Sequence, residues 1–276
     1  MVEVAENQKE ILIPLFQGLQ DSLILSCIQN YFGRAWVDDC TSPASGRIIV
    51  GEYCFLAGEP TEEFLYHGEG DLLPQGVVII PDSSRWHPVI EKVYGSYCCK
   101  KERYGIKKEG DIFDRERLRK YAASLEEGYV LKEIDNEIYD ILMSQEWSRD
   151  FCKQYRNWEH FRDRGMGVVA CQGEKIVAGA SSFTSYREGI EIEIITHEAY
   201  RRHGLALACG SALILKALEN DLYPNWDAAN MASVGVASKL GYHYDKPYEV
   251  YEIQSIYCPP ATGGGTAGRF VPTPLP

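Results

Sequence analysis

The chain has 276 residues, of which 45% are hydrophobic and 25% are charged, and its formal net charge is −12. A chain of this length can form two modest domains and bury a core without disulfides. The negative charge disfavours nucleic acid and anionic membranes as partners, and no apolar run approaches the roughly 18 residues of a membrane-spanning helix.

The cysteines and histidines show no pattern of a disulfide framework or a metal site. The nine cysteines contain no C-x-x-C pair, and the six histidines lack zinc-ligand spacing. Reduced, mostly buried thiols are therefore expected, as in cytoplasmic proteins. The first ten residues are polar and lack the basic start and apolar run of a signal peptide, which also favours a cytoplasmic location.

Residues 1–140 alternate between helical and extended patterns and predict a mixed α/β domain without a recognisable chemical motif. Apolar side chains at helical spacing predict a helix over Asp21–Asp38. A β-prone run predicts a strand over Arg47–Ala57. Shorter patterns predict strands over 76–81 and 129–134 and helices that begin at His87, Asp114 and Asn136.

The pattern is sharper from Ser148 onward. Aromatic residues at helical spacing predict a helix over 150–162, which is either a core stripe or a wall of a substrate pocket. Short glycine-containing turns predict antiparallel strands over 168–172, 176–186 and 190–196. Leu205–Glu219 is apolar almost all round and predicts a buried helix, and Asn230 predicts the cap of another. Two short strands, 242–244 and 248–253, are predicted to follow.

A basic turn, Arg201-Arg202-His203-Gly204-Leu205-Ala206, joins the third of these strands to the long helix. Unpaired backbone N–H groups and the helix dipole make such a helix start favourable for a pyrophosphate. Gly204 has no Cβ to obstruct the ligand, and the two arginines and His203 add donors. By composition alone, the turn is equally compatible with an ordinary strand–helix connection.

This turn resembles the R/Q-x-x-G-x-G/A pyrophosphate signature of the GNAT superfamily of N-acetyltransferases. The stretch Asn230-Met231-Ala232-Ser233, closed by Lys239-Leu240-Gly241-Tyr242, is similar to the N-x-x-S/A…K-L-G-F/Y segment of that family. The resemblance covers about residues 150–256. Within the family, the run from Glu191 to Asn230 resembles the group that includes the acetyltransferases conferring zwittermicin resistance, and hence antibiotic resistance.

The resemblance implies an α/β (α+β) fold with a C-terminal GNAT domain over 145–257, whose mixed, largely antiparallel sheet is flanked by helices. Residues 1–140 form an N-terminal α/β domain, either an acceptor-binding half or a degenerate GNAT-like copy. Residues 258–276 are expected to be a disordered tail or a cloning remnant. The implied co-substrate is acetyl-CoA, with the binding residues Ile194, Ile195, Thr196, Arg201, Arg202, His203, Gly204, Leu205, Ala206, Asn230 and Ser233.

The resemblance further implies direct attack on the thioester by a primary amine of a small-molecule acceptor. Alternation along the third strand predicts that Glu191 and Glu193 share one face, where burial would raise the pKa of a general base. The alternative is that both are solvated. His197, at the strand exit, is a weaker candidate. Ala237 occupies the position of the tyrosine that protonates the departing thiolate in many GNAT enzymes.

Two other functions stay open, the first of them because of Ala237. One is a GNAT-fold protein that binds or senses CoA without efficient catalysis. The other is a transferase of a different acyl or aminoacyl group. The chain is expected to be a monomer or a homodimer, and its sequence does not identify the acceptor.

Overall fold

Two β-sheets form the framework of the protein. The computed structural model describes residues 1–67 and 70–254, so the predicted tail over 258–276 lies outside the described residues. The strands are β1 (Val2–Glu3), β2 (Arg34–Val37), β3 (Ser45–Val50), β4 (Tyr53–Gly58), β5 (Val78–Pro81), β6 (Cys98–Ile106), β7 (Tyr129–Glu133), β8 (Gly167–Gln172), β9 (Lys175–Tyr186), β10 (Gly189–Thr196), β11 (Tyr223–Asn225), β12 (Asp227–Ala228) and β13 (Tyr244–Ile253).

The helices surround these sheets. The α-helices are α1 (Ile13–Phe16), α2 (Ser22–Ile28), α3 (His87–Tyr94), α4 (Arg115–Ala122), α5 (Asn136–Ser144), α6 (Trp158–Arg164), α7 (Leu205–Glu219) and α8 (Met231–Leu240). Short 3-10 helices cover 6–12, 62–65, 84–86, 95–97, 149–151 and 198–200. None of the helices in the described ranges is long and apolar enough to cross a membrane.

The first sheet has the strand order β1-β2-β3-β4-β5-β13-β6-β12, and the second has the order β11-β10-β9-β8-β7. The β4–β5 and β10–β11 pairs are parallel, and the remaining pairs are antiparallel. The predicted fold class, mixed and largely antiparallel sheets flanked by helices, is therefore confirmed.

The sheets do not divide the chain in the middle. Strand β7 precedes residue 140 but pairs with β8 in the second sheet. Strands β12 and β13 follow residue 145 but pair with β6 and β5 in the first sheet. The predicted domain boundary between residues 140 and 145 stays a prediction. The chain passes from one sheet to the other both before this boundary and after it.

Two predicted elements of the first half are wrong in extent. The helix predicted over 21–38 ends at Ile28, because Asn30 (φ 62°) and Gly33 (φ 76°) leave the helical conformation before β2 begins. The strand predicted over 47–57 is the β3–β4 hairpin, which turns at Gly51 (φ 56°). A continuous β-prone composition concealed this turn.

Two predicted elements of the second half also differ. The helix predicted over 150–162 is a 3-10 turn followed, after an irregular segment, by α6, which Asn157 caps through a hydrogen bond from the His160 N–H. The strands predicted over 242–244 and 248–253 are the single strand β13. Its register against β6 is irregular between Tyr244 and Pro247, since proline has no N–H to donate.

A shared apolar core joins the two sheets. It contains Val50 and Phe55 of the first sheet, Val169 and Phe183 of the second, and Leu23 of α2. A separate core forms where α7 packs on the outer face of the second sheet. Helix α7 has the predicted bounds and Gly204 as its N-cap. The first residues of α2 and β12, Ser22 and Asp227, contact Glu191 near the start of β10. The candidate site lies there, between the sheets.

Candidate functional site

The strands β10 and β11 separate partway along β10, at the edge of the second sheet. They pair in parallel only from Gly189 to Glu191, opposite Tyr223–Asn225. At Trp226 the chain leaves this sheet, and Asp227 begins β12 in the first sheet. In the described part of the chain, no strand pairs with this edge of residues 192–196. Backbone groups of the predicted cofactor residues Ile194, Ile195 and Thr196 can therefore bind a ligand along this edge.

Glu191 and Glu193 border the same small cavity of about 40 Å³ between the sheets. A β-bulge between Glu191 and Ile192 shifts the register of β10 against β9. The opposite walls of the cavity come from distant parts of the chain, including Asp21, Tyr53, Arg103, Asp227 and Tyr248.

Glu191 is buried and held at both oxygens. Only 7% of the residue is exposed. Its Oε1 accepts a hydrogen bond from the backbone N–H of Asp227 at 3.0 Å, and its Oε2 accepts one from the Ser22 hydroxyl at 2.5 Å. Burial and, after it, the neighbouring Asp21 carboxyl raise the pKa of Glu191 to about 8. A carboxyl that titrates near neutral pH is suited to general base catalysis.

Glu193 and Asp21 extend this group of carboxyls with raised pKa values. Burial, followed by the Asp150 and Glu52 carboxylates, raises the pKa of Glu193 to about 8, while Lys153 and Arg103 oppose the shift. Burial also raises the pKa of Asp21 to about 7. At neutral pH these groups are therefore partly protonated and do not form a cluster of fixed negative charges.

A second, much larger cavity, of about 1690 Å³, opens to solvent beside Glu191. Residues 6–30 of the first half form one wall, and exposed Ile13 and Leu25 supply apolar surface there. Five Lys and Arg side chains line this cavity, against nine carboxyl side chains: Glu6, Glu10, Asp21, Asp82, Glu109, Glu191, Asp227, Asp245 and Glu249. Such a lining favours a cationic ligand with some apolar surface.

The predicted pyrophosphate turn lies at the start of α7. Arg201, Arg202, His203 and Gly204 are exposed, whereas Leu205 is buried and anchors the helix. Gly204 has φ 75°, and no heavy atom lies within 4 Å of the position that a Cβ would occupy. The space beside Gly204 is therefore open, and the first-turn N–H groups of a helix have no intrahelical partner, as anion binding requires. The His203 Nδ1 lies 3.1 Å from Glu126 Oε2.

Asn230 and Ser233 hold the start of α8. The Asn230 Oδ1 accepts a hydrogen bond from the Ser233 N–H at 3.0 Å, and the Ser233 hydroxyl accepts one from Trp226 Nε1 at 3.0 Å. These contacts give both residues a structural role, and their predicted role along the pantetheine arm stays a prediction. Ala237 is fully buried in the core beside α7, so this position supplies no proton donor.

The structure does not bring His197 to the glutamates. Its Nδ1 accepts a hydrogen bond from the Ala199 N–H at 3.3 Å, and its ring packs against Trp147 and Tyr200. His197 borders neither of the two cavities described above. Its place in the structure is therefore that of a cap for the 198–200 turn.

Sequence reasoning missed four residues of this site: Asp21, Ser22, Arg103 and Tyr248. Ser22 is 169 positions from Glu191, and Arg103 is 124 positions from Asp227. No local spacing pattern joins residues so far apart. Asp21 caps α2 by accepting a hydrogen bond from the Leu23 N–H, and the sequence pattern indicated it only as the first residue of a predicted helix.

Comparisons with known proteins agree on one fold. A family model described as GNAT acetyltransferase matches residues 13–251. The uncharacterized N-acetyltransferase YdfB of Bacillus subtilis is 27% identical over 234 residues, which cover 81% of this chain and 86% of YdfB. The crystal structure of a GCN5-related N-acetyltransferase-like protein from Streptococcus suis is 38% identical, with a TM-score of 0.83, and the match covers 89% of this chain and 98% of that one.

A more distant structure shares the fold alone. The GCN5-related N-acetyltransferase from Kribbella flavida is 12% identical and has a TM-score of 0.50, over 75% of this chain and 85% of that one. The Streptococcus suis and Bacillus subtilis matches span most of both chains, so the resemblance extends well beyond residues 150–256.

Proposed function

Because the chain belongs to the GNAT acetyltransferase family, we propose that it transfers an acetyl group from acetyl-CoA to a primary amine of a small, cationic molecule. The observation that supports this proposal best is the buried Glu191 at the floor of an acidic cavity, beside the unpaired edge of β10. Glu191 borders the cavity and residues 192–196 of the same strand have the unpaired edge, so a donor and an acceptor could meet at β10.

The residues around β10 and α7 fit acetyl-CoA. The open turn at Gly204 and the exposed Arg201 and Arg202 would bind the phosphates, and the edge of Ile194–Thr196 would hold the extended arm. Bound there, acetyl-CoA supplies an activated thioester. A backbone N–H on the β10 edge would hold the developing oxyanion.

Glu191 would act on the acceptor. An ammonium group must lose a proton before it can attack a carbonyl carbon, and a carboxylate with a pKa of about 8 accepts that proton efficiently near neutral pH. The Ser22 and Asp227 contacts fix its two oxygens, so the base is oriented before the acceptor arrives. Glu193 is the second choice for this role, because it borders only the small cavity.

Replacing Gly204 with Asp should abolish CoA binding. The new side chain would occupy the open space at the start of α7 and repel the phosphates. A ligand at a hundredfold excess over its dissociation constant stabilises a protein by about 2.7 kcal/mol. CoA should therefore raise the Tm of the wild-type protein and leave that of Gly204→Asp unchanged in a thermal shift assay.

Gly76→Asp is the matched control for this prediction. Gly76 also has a positive φ (88°), is exposed and has no heavy atom within 4 Å of the position that a Cβ would take, but it lies before β5 in the first sheet. This variant should keep the full CoA-dependent shift. Equal shifts in Gly204→Asp and the wild-type protein would show that the turn is not the phosphate site.

The buried Ala237 favours a second candidate function, a CoA-binding protein without efficient catalysis, because the usual proton donor to the thiolate is absent. A panel of polyamines and aminoglycosides separates the two functions. Acceptor-dependent consumption of acetyl-CoA supports the enzyme, and CoA binding without consumption supports the alternative. Consumption of another acyl-CoA would indicate a different transferase. Membership of the zwittermicin-resistance group stays a prediction, which an assay with zwittermicin itself as the acceptor would test.

A further inference from the structure

Asp227 is fixed at three points, and one of them reaches the proposed base. Its Oδ1 accepts hydrogen bonds from Arg103 Nε at 2.6 Å and from the terminal Arg103 nitrogen at 2.5 Å. Its Oδ2 accepts a hydrogen bond from the Tyr248 hydroxyl at 2.8 Å. Its own backbone N–H donates to Glu191 Oε1. Both oxygens of the Asp227 carboxylate thus accept hydrogen bonds, while its backbone N–H donates one to Glu191.

Both partners of the Asp227 carboxylate, Arg103 and Tyr248, come from the first sheet. Arg103 on β6 and Tyr248 on β13 lie directly opposite each other in the register of these strands. The Arg103 guanidinium also lies 5.2 Å from the centre of the Tyr53 ring on β4. Arg103 is 15% exposed and Asp227 is 21% exposed, so solvent screens this ion pair only in part. The first sheet therefore determines where the Asp227 N–H points.

We propose that Arg103 and Asp227 are positioning residues of the acetyl-transfer site, which orient Glu191 and balance the charge around it. This inference rests on the proposed role of Glu191 as the base. The pair belongs to the first sheet, whereas Glu191 belongs to the second. The first sheet thus contributes to proton transfer as well as to the wall of the acceptor cavity.

Charge distinguishes this role from simple packing. After burial and Asp21, the Asp227 carboxylate raises the pKa of Glu191, whereas the hydrogen bond from the Asp227 N–H lowers it. After burial, the same carboxylate raises the pKa of Asp21, and Arg103 lowers it. The other titratable and charged groups around Glu191 and Glu193 come from several elements: Asp21 before α2, Tyr53 and Glu52 at β4, Tyr242 after α8, Tyr248 on β13, and Asp150 and Lys153 near the 149–151 turn.

Removal of the Asp227 charge and removal of the Arg103 charge should shift the pKa of Glu191 in opposite directions. Asp227→Asn keeps the backbone N–H but leaves Arg103 uncompensated, so the pKa of Glu191 should fall. Arg103→Gln leaves Asp227 uncompensated, so the pKa should rise. A charge within a few ångströms shifts a pKa by about one unit or more. The rising limb of kcat against pH should therefore move by about one unit down in the first variant and up in the second.

Three further variants complete the design. The double variant Arg103→Gln with Asp227→Asn restores neutrality and should return the limb towards the wild-type position. Arg103→Lys keeps the positive charge, so the rising limb should stay at its wild-type pH. Lys153→Gln is the matched control, because Lys153 acts on the Glu193 side and pairs with Glu52 and Asp150. It should leave the titration of Glu191 unchanged.

The titration is also measured without turnover, by carbon-13 NMR of labelled glutamate carboxyls, with Glu191→Gln for assignment. Opposite shifts in the single variants support the proposal. If the pKa of Glu191 is unchanged in Asp227→Asn, the proposal is overturned. This holds even if Arg103→Gln fails to fold and even if kcat falls. A wild-type protein that transfers no acetyl group contradicts the proposed function alone, because the NMR titration still decides the role of the pair.

Discussion

Glu191→Gln should lower turnover by at least about a hundredfold while CoA binding persists, since general base catalysis typically contributes 10²- to 10⁴-fold. Glutamine is nearly isosteric but cannot accept the proton. The wild-type rate should rise with pH up to the pKa of Glu191, about 8, because only the ionised carboxylate acts as a base. This rising limb should disappear in the variant. The measurement is a pH–rate profile with a working acceptor.

Two variants are compared with Glu191→Gln: Glu193→Gln tests the alternative base, and Glu198→Gln is the control. Glu193 also has a pKa of about 8 and is the alternative base. Glu198 is exposed and follows the same strand, so its variant should keep wild-type turnover. If Glu191→Gln and Glu193→Gln both retain near wild-type rates across the pH range, neither glutamate is the base. An ordered water would then be the better candidate, or His197, although the structure places its ring outside both cavities.

The protein should lose stability as the pH rises from about 5 to 9. Burial raises the folded-state pKa values of Glu191, Glu193 and Asp21, so folding favours their protonated forms. This stabilisation is complete below the unfolded-state pKa and is lost as the pH rises through 7 to 8. Each unit of pKa displacement corresponds to about 1.4 kcal/mol, so Glu191 alone contributes on the order of several kcal/mol.

Urea unfolding at several pH values measures this effect. The double variant Glu191→Gln with Glu193→Gln stays neutral at both positions. It should therefore show a flatter dependence of the free energy of unfolding on pH, and its advantage over the wild-type protein should grow towards pH 9. Glu198→Gln should reproduce the wild-type slope. Parallel slopes for the double variant and the wild-type protein would mean that the two carboxyls ionise as freely in the folded state as in the unfolded state.

Local patterns sufficed for the side of the site that we propose binds the acetyl donor. The bounds of α7, the cap at Asn230 and the β8–β9–β10 hairpins all follow from residues adjacent in sequence. The acceptor side depends on tertiary contacts. Ser22 and Arg103 reach β10 and β12 only because α2 and β6 fold against them, and neither has a sequence neighbour that marks it. The helix over 150–162 was wrong because aromatic spacing reported burial and not helical continuity.

The crossing at Trp226 limits how the acceptor specificity of this enzyme can be re-engineered. A chimera that joins the first 140 residues of one relative to the remainder of another would mix Arg103 of one parent with Asp227 and Tyr248 of the other. Recombination should therefore treat two separated pieces, residues up to β6 and the stretch from β12 to β13, as one inherited block. Exchange of the intervening second sheet, from β7 to β11, would also require parents that match where this sheet meets the block, at the Ser22–Glu191 contact and in the shared core.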